Sequence, residues 1–158
     1  MKYRLKEINC NQFVFNKTQL NTGTICNIKY NNEPLEFQTP KLLIQSLVKE
    51  NDNEYLILKI LPTQACKTFC SKIQEIEACF TDTFGEIKSV FKEDLVTIKI
   101  PFKYSKPLVK LYKDESLFNY YHLSQDMEII CLVTLDKVWI NNFNEASYHL
   151  NAKEIMIL

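Results

Sequence analysis

Glycine is almost missing from this chain: only Gly23 and Gly85 occur in 158 residues. A loop that cradles phosphate with backbone amides needs closely spaced glycines, so neither GxGxxG nor GxxxxGK[ST] is present. Arginine is rarer still. Eighteen of the nineteen basic side chains are lysine, with Arg4 the exception, a bias that AT-rich coding favours. The two histidines, His122 and His149, lie far apart in the chain. No zinc quartet and no Cys–His nucleophile pair is signalled. Net charge is also missing, with 19 basic residues against 19 acidic ones. Binding driven by bulk positive charge is therefore disfavoured, although a local stripe of cations counts for more than the sum. No apolar run reaches the roughly 18 residues of a membrane span. The opening MKYRLKEINCNQF has basic residues but no apolar stretch of a signal peptide, so an intracellular, non-secreted protein is expected.

What the chain does have is core. Its apolar fraction is 46% and its aromatic fraction 12%, enough for one domain over residues 1–158. Six cysteines (Cys10, Cys26, Cys66, Cys70, Cys79 and Cys131) read as reduced thiols acting as small core hydrophobes. Cys66 and Cys70 form one close pair, but no second Cys or His pair completes a metal site. Neither a metal nor a cofactor is expected.

The pattern is mostly that of strands. Phe13–Phe15 and Thr24–Ile28 read as short strands with a turn at Asn31-Asn32, and Pro34 and Pro40 bracket an extended Leu35–Thr39. Residues 42–48 and 54–61 make a hairpin about a polar turn at 49–53. Thr63–Phe80 is the one helix, capped by Thr63. Its apolar positions Ala65, Phe69, Ile73, Ile76 and Phe80 fall within about 80° of arc, with Lys67, Lys72, Gln74, Glu75 and Glu77 left to water. After Gly85 the period becomes two: Val96, Ile98, Ile100, Phe102 and Tyr104 share a core-facing side, opposite Lys99 and Lys103. Ser105–Pro107 reads as a turn and Leu108–Tyr112 as the returning strand. Residues 128–140 are apolar on both faces, a central strand with a bulge or bend at Asp136-Lys137. A hairpin loop at 141–145 leads to a closing strand, Tyr148–Leu158, whose alternation slips phase before IMIL. Eight or nine short strands with a single helix exclude a doubly wound α/β fold and leave a Greek-key barrel or sandwich.

Two stretches narrow that choice. One is Phe37-Gln38-Thr39-Pro40-Lys41, within PLEFQTPKLLI. The other is the run TIKIPFKY…LYKDES…LSQDMEIICLVTLDKVWINNFNEASYHLNAKEIMIL. Together they resemble a family of small proteins of nucleocytoplasmic large DNA viruses. Its members carry a Q-T-P strand entrance and, near the end, an apolar strand leading to a Trp, a turn and a final strand. The resemblance implies a mainly β, OB-like Greek-key barrel with one helix at about 63–80, related to phage proteins that coat single-stranded DNA. This chain departs from the pattern in having KLLIQS where the family has Pro-Phe-Gly after Q-T-P. It has Glu145-Ala146-Ser147-Tyr148 in place of a Gly–aromatic pair, and Lys153-Glu154-Ile155-Met156-Ile157-Leu158 where the phage relatives are expected to carry an acidic tail.

The function so implied is coating of single-stranded DNA, or RNA by the same chemistry, in replication or packaging, within a viral factory of the host cytoplasm or in the virion. Such a protein needs cations for the backbone and ring faces for the bases. Lys99, Lys103, Lys106, Lys110 and Lys113 are expected to line one outward channel. Tyr112, Tyr120, Tyr121 and Trp139, with Tyr148, are the stacking candidates, Trp139 ranking after the tyrosines. No constellation of catalytic residues is present. The other reading is a protein–protein or virion structural module on the same fold, with replication or virion partners or a homo-oligomer formed through exposed strand edges.

Overall fold

The structure, a computed structural model, describes residues 2–158; Met1, the first position of the expected domain, lies outside the described residues. Strands β1 (Lys2–Tyr3), β2 (Phe13–Leu20), β3 (Gly23–Tyr30), β4 (Leu35–Gln38), β5 (Leu42–Glu50) and β6 (Asn53–Lys59) precede helix α1 (Gln64–Phe84). After it come β7 (Ile87–Lys88), β8 (Phe91–Lys92), β9 (Leu95–Ile100), β10 (Phe102–Lys103), β11 (Lys106–Pro107), β12 (Lys110–Lys113) and β13 (Ser116–Leu117). The last four are β14 (Glu128–Leu135), β15 (Lys137–Asn141), β16 (Ala146–Tyr148) and β17 (Leu150–Ile157). The strand segments are thus more numerous and shorter than the eight or nine read from the sequence. No helix among the described residues is long and apolar enough to cross a membrane.

Five strands close a barrel. Hairpin β5–β6 turns on Asn51 and Asp52, both with positive φ (50° and 66°), the geometry a two-residue turn needs and that Asn and Asp tolerate. Strand β6 pairs antiparallel with β9, β9 parallel with β17, β17 antiparallel with β14, and β14 antiparallel with β5. The fifth stave lies between the third and the fourth, which makes the path a Greek key. Alternate residues fill the interior: Leu56 and Leu58, Val96 and Ile98, Cys131 and Val133, Leu150 and Ala152 are all buried. The fold is therefore the OB-like, mainly β barrel with one helix that the resemblance implied.

The Q-T-P segment sits at the point of closure. Strand β14 pairs with β5 at Ile129↔Leu42 and with β4 at Leu132↔Gln38. Between these two pairings the ladder is carried by Thr39. Its amide donates to the Cys131 carbonyl at 2.8 Å, and its hydroxyl accepts the Cys131 amide at 3.0 Å. Thr39 is buried.

A second sheet, in the order β2-β3-β15-β16-β7, stands on the barrel. Helix α1 packs beneath it: Phe80 meets Phe13, Phe15, Phe84 and Tyr148 ring to ring. The Thr63 hydroxyl accepts from the Cys66 amide at 3.1 Å, the expected N-cap. The helix runs on to Phe84 before Gly85 stops it at φ 83°. Its buried stripe is Cys66, Phe69, Ile73, Ile76 and Phe80, as wide as expected but rotated by about 20°. Cys66 replaces Ala65, which is exposed. Two side chains expected in water are engaged instead. Glu77 accepts hydrogen bonds from Tyr148 Oη (2.6 Å) and Ser89 Oγ (2.8 Å), and Lys72 Nζ donates to the Ile8 carbonyl at 2.9 Å. All six cysteines are free thiols, buried or half-buried. Burial pushes the Cys131 thiol up to about 12 and Cys10 up to about 11.

Replacing Thr39 by Val preserves shape but strips the buried Cys131 amide of its acceptor. Urea unfolding of Thr39→Val should show a loss of about 1–3 kcal/mol, the cost of an unmet buried donor. An unchanged midpoint would mean that the ladder closes without the hydroxyl.

Candidate functional site

The chain leaves the barrel at the end of β14 and returns at the start of β17. The Ile28 amide, donating to the Asp136 carbonyl at 2.7 Å, turns the chain into the second sheet, so β15 begins at Lys137. The return is at His149. Between the two crossings lies a groove of about 550 Å³. Barrel strands supply Lys99, Asn151 and Lys153; the second sheet supplies Ile25, Lys137, Trp139 and Ser147; Pro101 and Leu108 form the lip.

Lys137 and Trp139 are two apart on one strand and so share a face. Trp139 is half-buried and stands in register between Ile25 and Ser147. Its indole rests where Gly23 has no side chain. At φ 151° a Cβ on Gly23 would run into the Ile140 carbonyl oxygen and lie 2.9 Å from Trp139 Cζ2. Gly23 thus fixes how the ring sits.

Charge in the groove is mixed but leans positive. Lys153 is tied to Glu36, and Asp136 accepts a long hydrogen bond from Asn151 Nδ2 at 3.5 Å. Lys99 and Lys137 make no ion pair among the described residues. His149 sits at the groove with its ring 5.7 Å from that of Tyr55. Burial, then the nearby charges of Lys99 and Lys88, hold its pKa below the ordinary 6.5. The two lysines oppose a further positive charge there, while burial opposes charge of either sign.

The single channel expected between positions 99 and 113 does not form. Lys99 alone of that set lines the groove. Lys103 and Lys106 pair across the hairpin β10–β11 and are exposed. The strand alternation ends at Pro101, and Tyr104 and Ser105 make the turn with φ 52° and 61°. Tyr104, expected in the core, is 87% exposed, with Lys103 Nζ 5.4 Å from its ring centre. Strand β12 does not return along β9 but runs parallel to β17. Lys110 there stands opposite Glu154, and Tyr112 lines a concavity walled by Asp114, Glu115 and Glu154, with Lys113 exposed at the turn beside them.

Two of the rings are interior. Tyr120 is 4% exposed and donates its hydroxyl to Glu54 Oε1 at 3.0 Å. Burial and that carboxylate push its pKa up. It is a packing residue and not a stacking platform, and the buried Tyr148 is another. Tyr121 is exposed but borders a concavity holding Glu50, Asp52 and Glu54. Trp139, ranked after Tyr112, Tyr120 and Tyr121, shares a groove with lysines. Lys137, Lys153, His149 and Tyr55 were not singled out from the sequence. For Lys137 the signal was present, since it alternates with Trp139. The other three depend on which strands meet.

No protein-family model matches the chain, and no curated protein matches it in sequence. In fold it is similar to the crystal structure of gp2.5, a single-stranded DNA binding protein encoded by bacteriophage T7. The TM-score is 0.53 and the identity 10%, over 78% of this chain and 86% of that one.

A lowered His149 pKa means that stability is complete above 6.5 and erodes as pH falls through the lower folded value. Proton NMR should place the His149 midpoint below 6.5. Lys99→Met should move that midpoint upward; no movement would remove Lys99 from the histidine's surroundings.

Proposed function

We propose that this chain binds single-stranded DNA, lying in the groove between barrel and second sheet. One observation carries the reading: Lys99, Lys137 and Lys153 line a single concave surface together with the half-buried Trp139. Lysines serve the phosphates and an accessible ring serves a base, the two components of sequence-tolerant strand binding. The groove also takes in part of the surface OB barrels commonly offer to oligonucleotides, the third stave and the loop joining the fourth to the fifth. Here that loop is the whole excursion 136–149. The fold likeness to gp2.5, described as a single-stranded DNA binding protein, supports the same reading. The setting, replication or packaging of a large DNA virus in the host cytoplasm or virion, rests on the resemblance of the Q-T-P and carboxy-terminal segments. Within it the strand-coating surface is Lys99, Lys137, Lys153 and Trp139, with Lys103 and Lys106 on the neighbouring hairpin.

A second reading, a protein–protein module, is favoured by a different surface. Leu117, Tyr112, Met156 and Ile130 stand in register across four strands, with Leu117 82% and Met156 44% exposed. Light scattering of the free chain would show an oligomer if that row is self-complementary.

Trp139 is the sole tryptophan, so its emission reports on the groove directly. Oligo-dT at micromolar protein should quench it and raise the anisotropy of a labelled strand. Three phosphates neutralised by three lysines should give a slope of log K against log salt of about −2. Trp139→Ala should weaken binding by about 1–3 kcal/mol, and Lys113→Glu should leave it unchanged. Absence of salt-sensitive binding at micromolar protein overturns the proposal. A parallel titration with oligo-U sorts DNA from RNA.

A further inference from the structure

We propose that the bound strand does not stop at the groove but continues over the outward face of the second sheet, toward its β2 edge. This rests on the single-strand reading above and extends its footprint. The alternation of β2 and β3 assigns the two faces. Phe13, Phe15 and Ile28 turn inward toward Phe80 and Phe84. The intervening residues therefore turn outward. Register places Asn16, Asn27 and Lys137 in one outward row. The next row runs through Trp139, so the groove and the sheet face share a wall.

The composition of that face is selective. The chain has as many acidic as basic residues, yet the outward positions of β2, β3, β15, β16 and β7 hold no Asp or Glu. Three lysines, Lys29, Lys88 and Lys137, are spread over them. Elsewhere carboxylates interrupt the lysines, as at Glu154 opposite Lys110. A surface without carboxylates, carrying lysines and amide side chains, accepts a polyanion without repulsion and donates hydrogen bonds to phosphate oxygens. With strands about 4.8 Å apart, the path from β15 to β2 adds about 10 Å to the groove. That is room for at most about three further nucleotides, within the about 4–16 seen per OB fold.

The test is a length series of labelled oligo-dT, about 5, 10 and 15 nucleotides. Corrected for the number of binding registers, affinity should rise at least about 10-fold from the shortest to the longest. Lys29→Glu combined with Asn27→Asp, both outside the groove, should abolish that gain and leave affinity for the 5-mer unchanged. Val14→Glu combined with Asn16→Asp, on a different strand, should do the same, so a folding defect in one pair does not decide the matter. If both pairs bind the 15-mer as the unaltered chain does, or if affinity does not grow with length, the extended track is overturned and the groove stands. If no oligonucleotide binds at all, the single-strand reading itself falls and the track falls with it.

Discussion

Everything in this molecule depends on β14 being hydrogen-bonded along both edges. One edge takes β17. The other is divided between β5 and β4, with the Thr39 hydroxyl spanning the gap at Cys131. That arrangement closes the barrel and makes β14 and β17 neighbours. The residues between those two strands must leave the barrel and come back within a short distance. They do so as β15 and β16, extending the β2–β3 hairpin into a second sheet. Trp139 and Lys137 are thereby held over Lys99, far from them in sequence but close in the fold. The position of the groove is a consequence of closure.

Strand β17 divides the outer surface by charge. Its pairing with β14 shifts at Leu132/Val133, where Leu132 faces Glu154 and Val133 faces Ala152. Lys153 is the extra residue of that bulge. A bulge re-aims side chains, and here it sets a lysine and a glutamate side by side on the outer face. On the Asn151 side the surface is the lysine-bearing groove. On the Met156 side it is an apolar hollow with Asp114, Glu115 and Glu154 around it. On the function proposed here, a polyanion would enter the first and be turned away by the second.

The parts of the fold legible in the sequence were the local ones. Phe69, Ile73, Ile76 and Phe80 announced the helix, Asn51-Asp52 lay within the expected turn, and the phase slip before IMIL marks the β17 bulge. Errors arose where a local pattern was carried past its physical limit. The alternation through Val96, Ile98 and Ile100 was extended to Phe102, which does pack against the core, and to Tyr104, which does not, since Pro101 has no amide with which to continue the ladder. Less of the candidate site was legible. Of the candidate lysines between positions 99 and 113, Lys99 alone lines the groove, where Trp139 also stands. Tyr120 is buried with its hydroxyl on Glu54, sixty-six positions away, and Lys99 is brought beside Asn151 by a parallel pairing of β9 with β17. Such non-local pairings leave no periodic trace.

The cations that face the groove are all lysines; Arg4 is the chain's sole guanidinium. An ammonium is a compact point charge on a flexible stem, whereas a guanidinium locks onto phosphate through a planar fork. A polymer held by point charges meets nearly the same potential each time it advances by one unit. On the function proposed here, molecules already bound would diffuse along the strand, close the gaps left by random loading and pack end to end without first letting go.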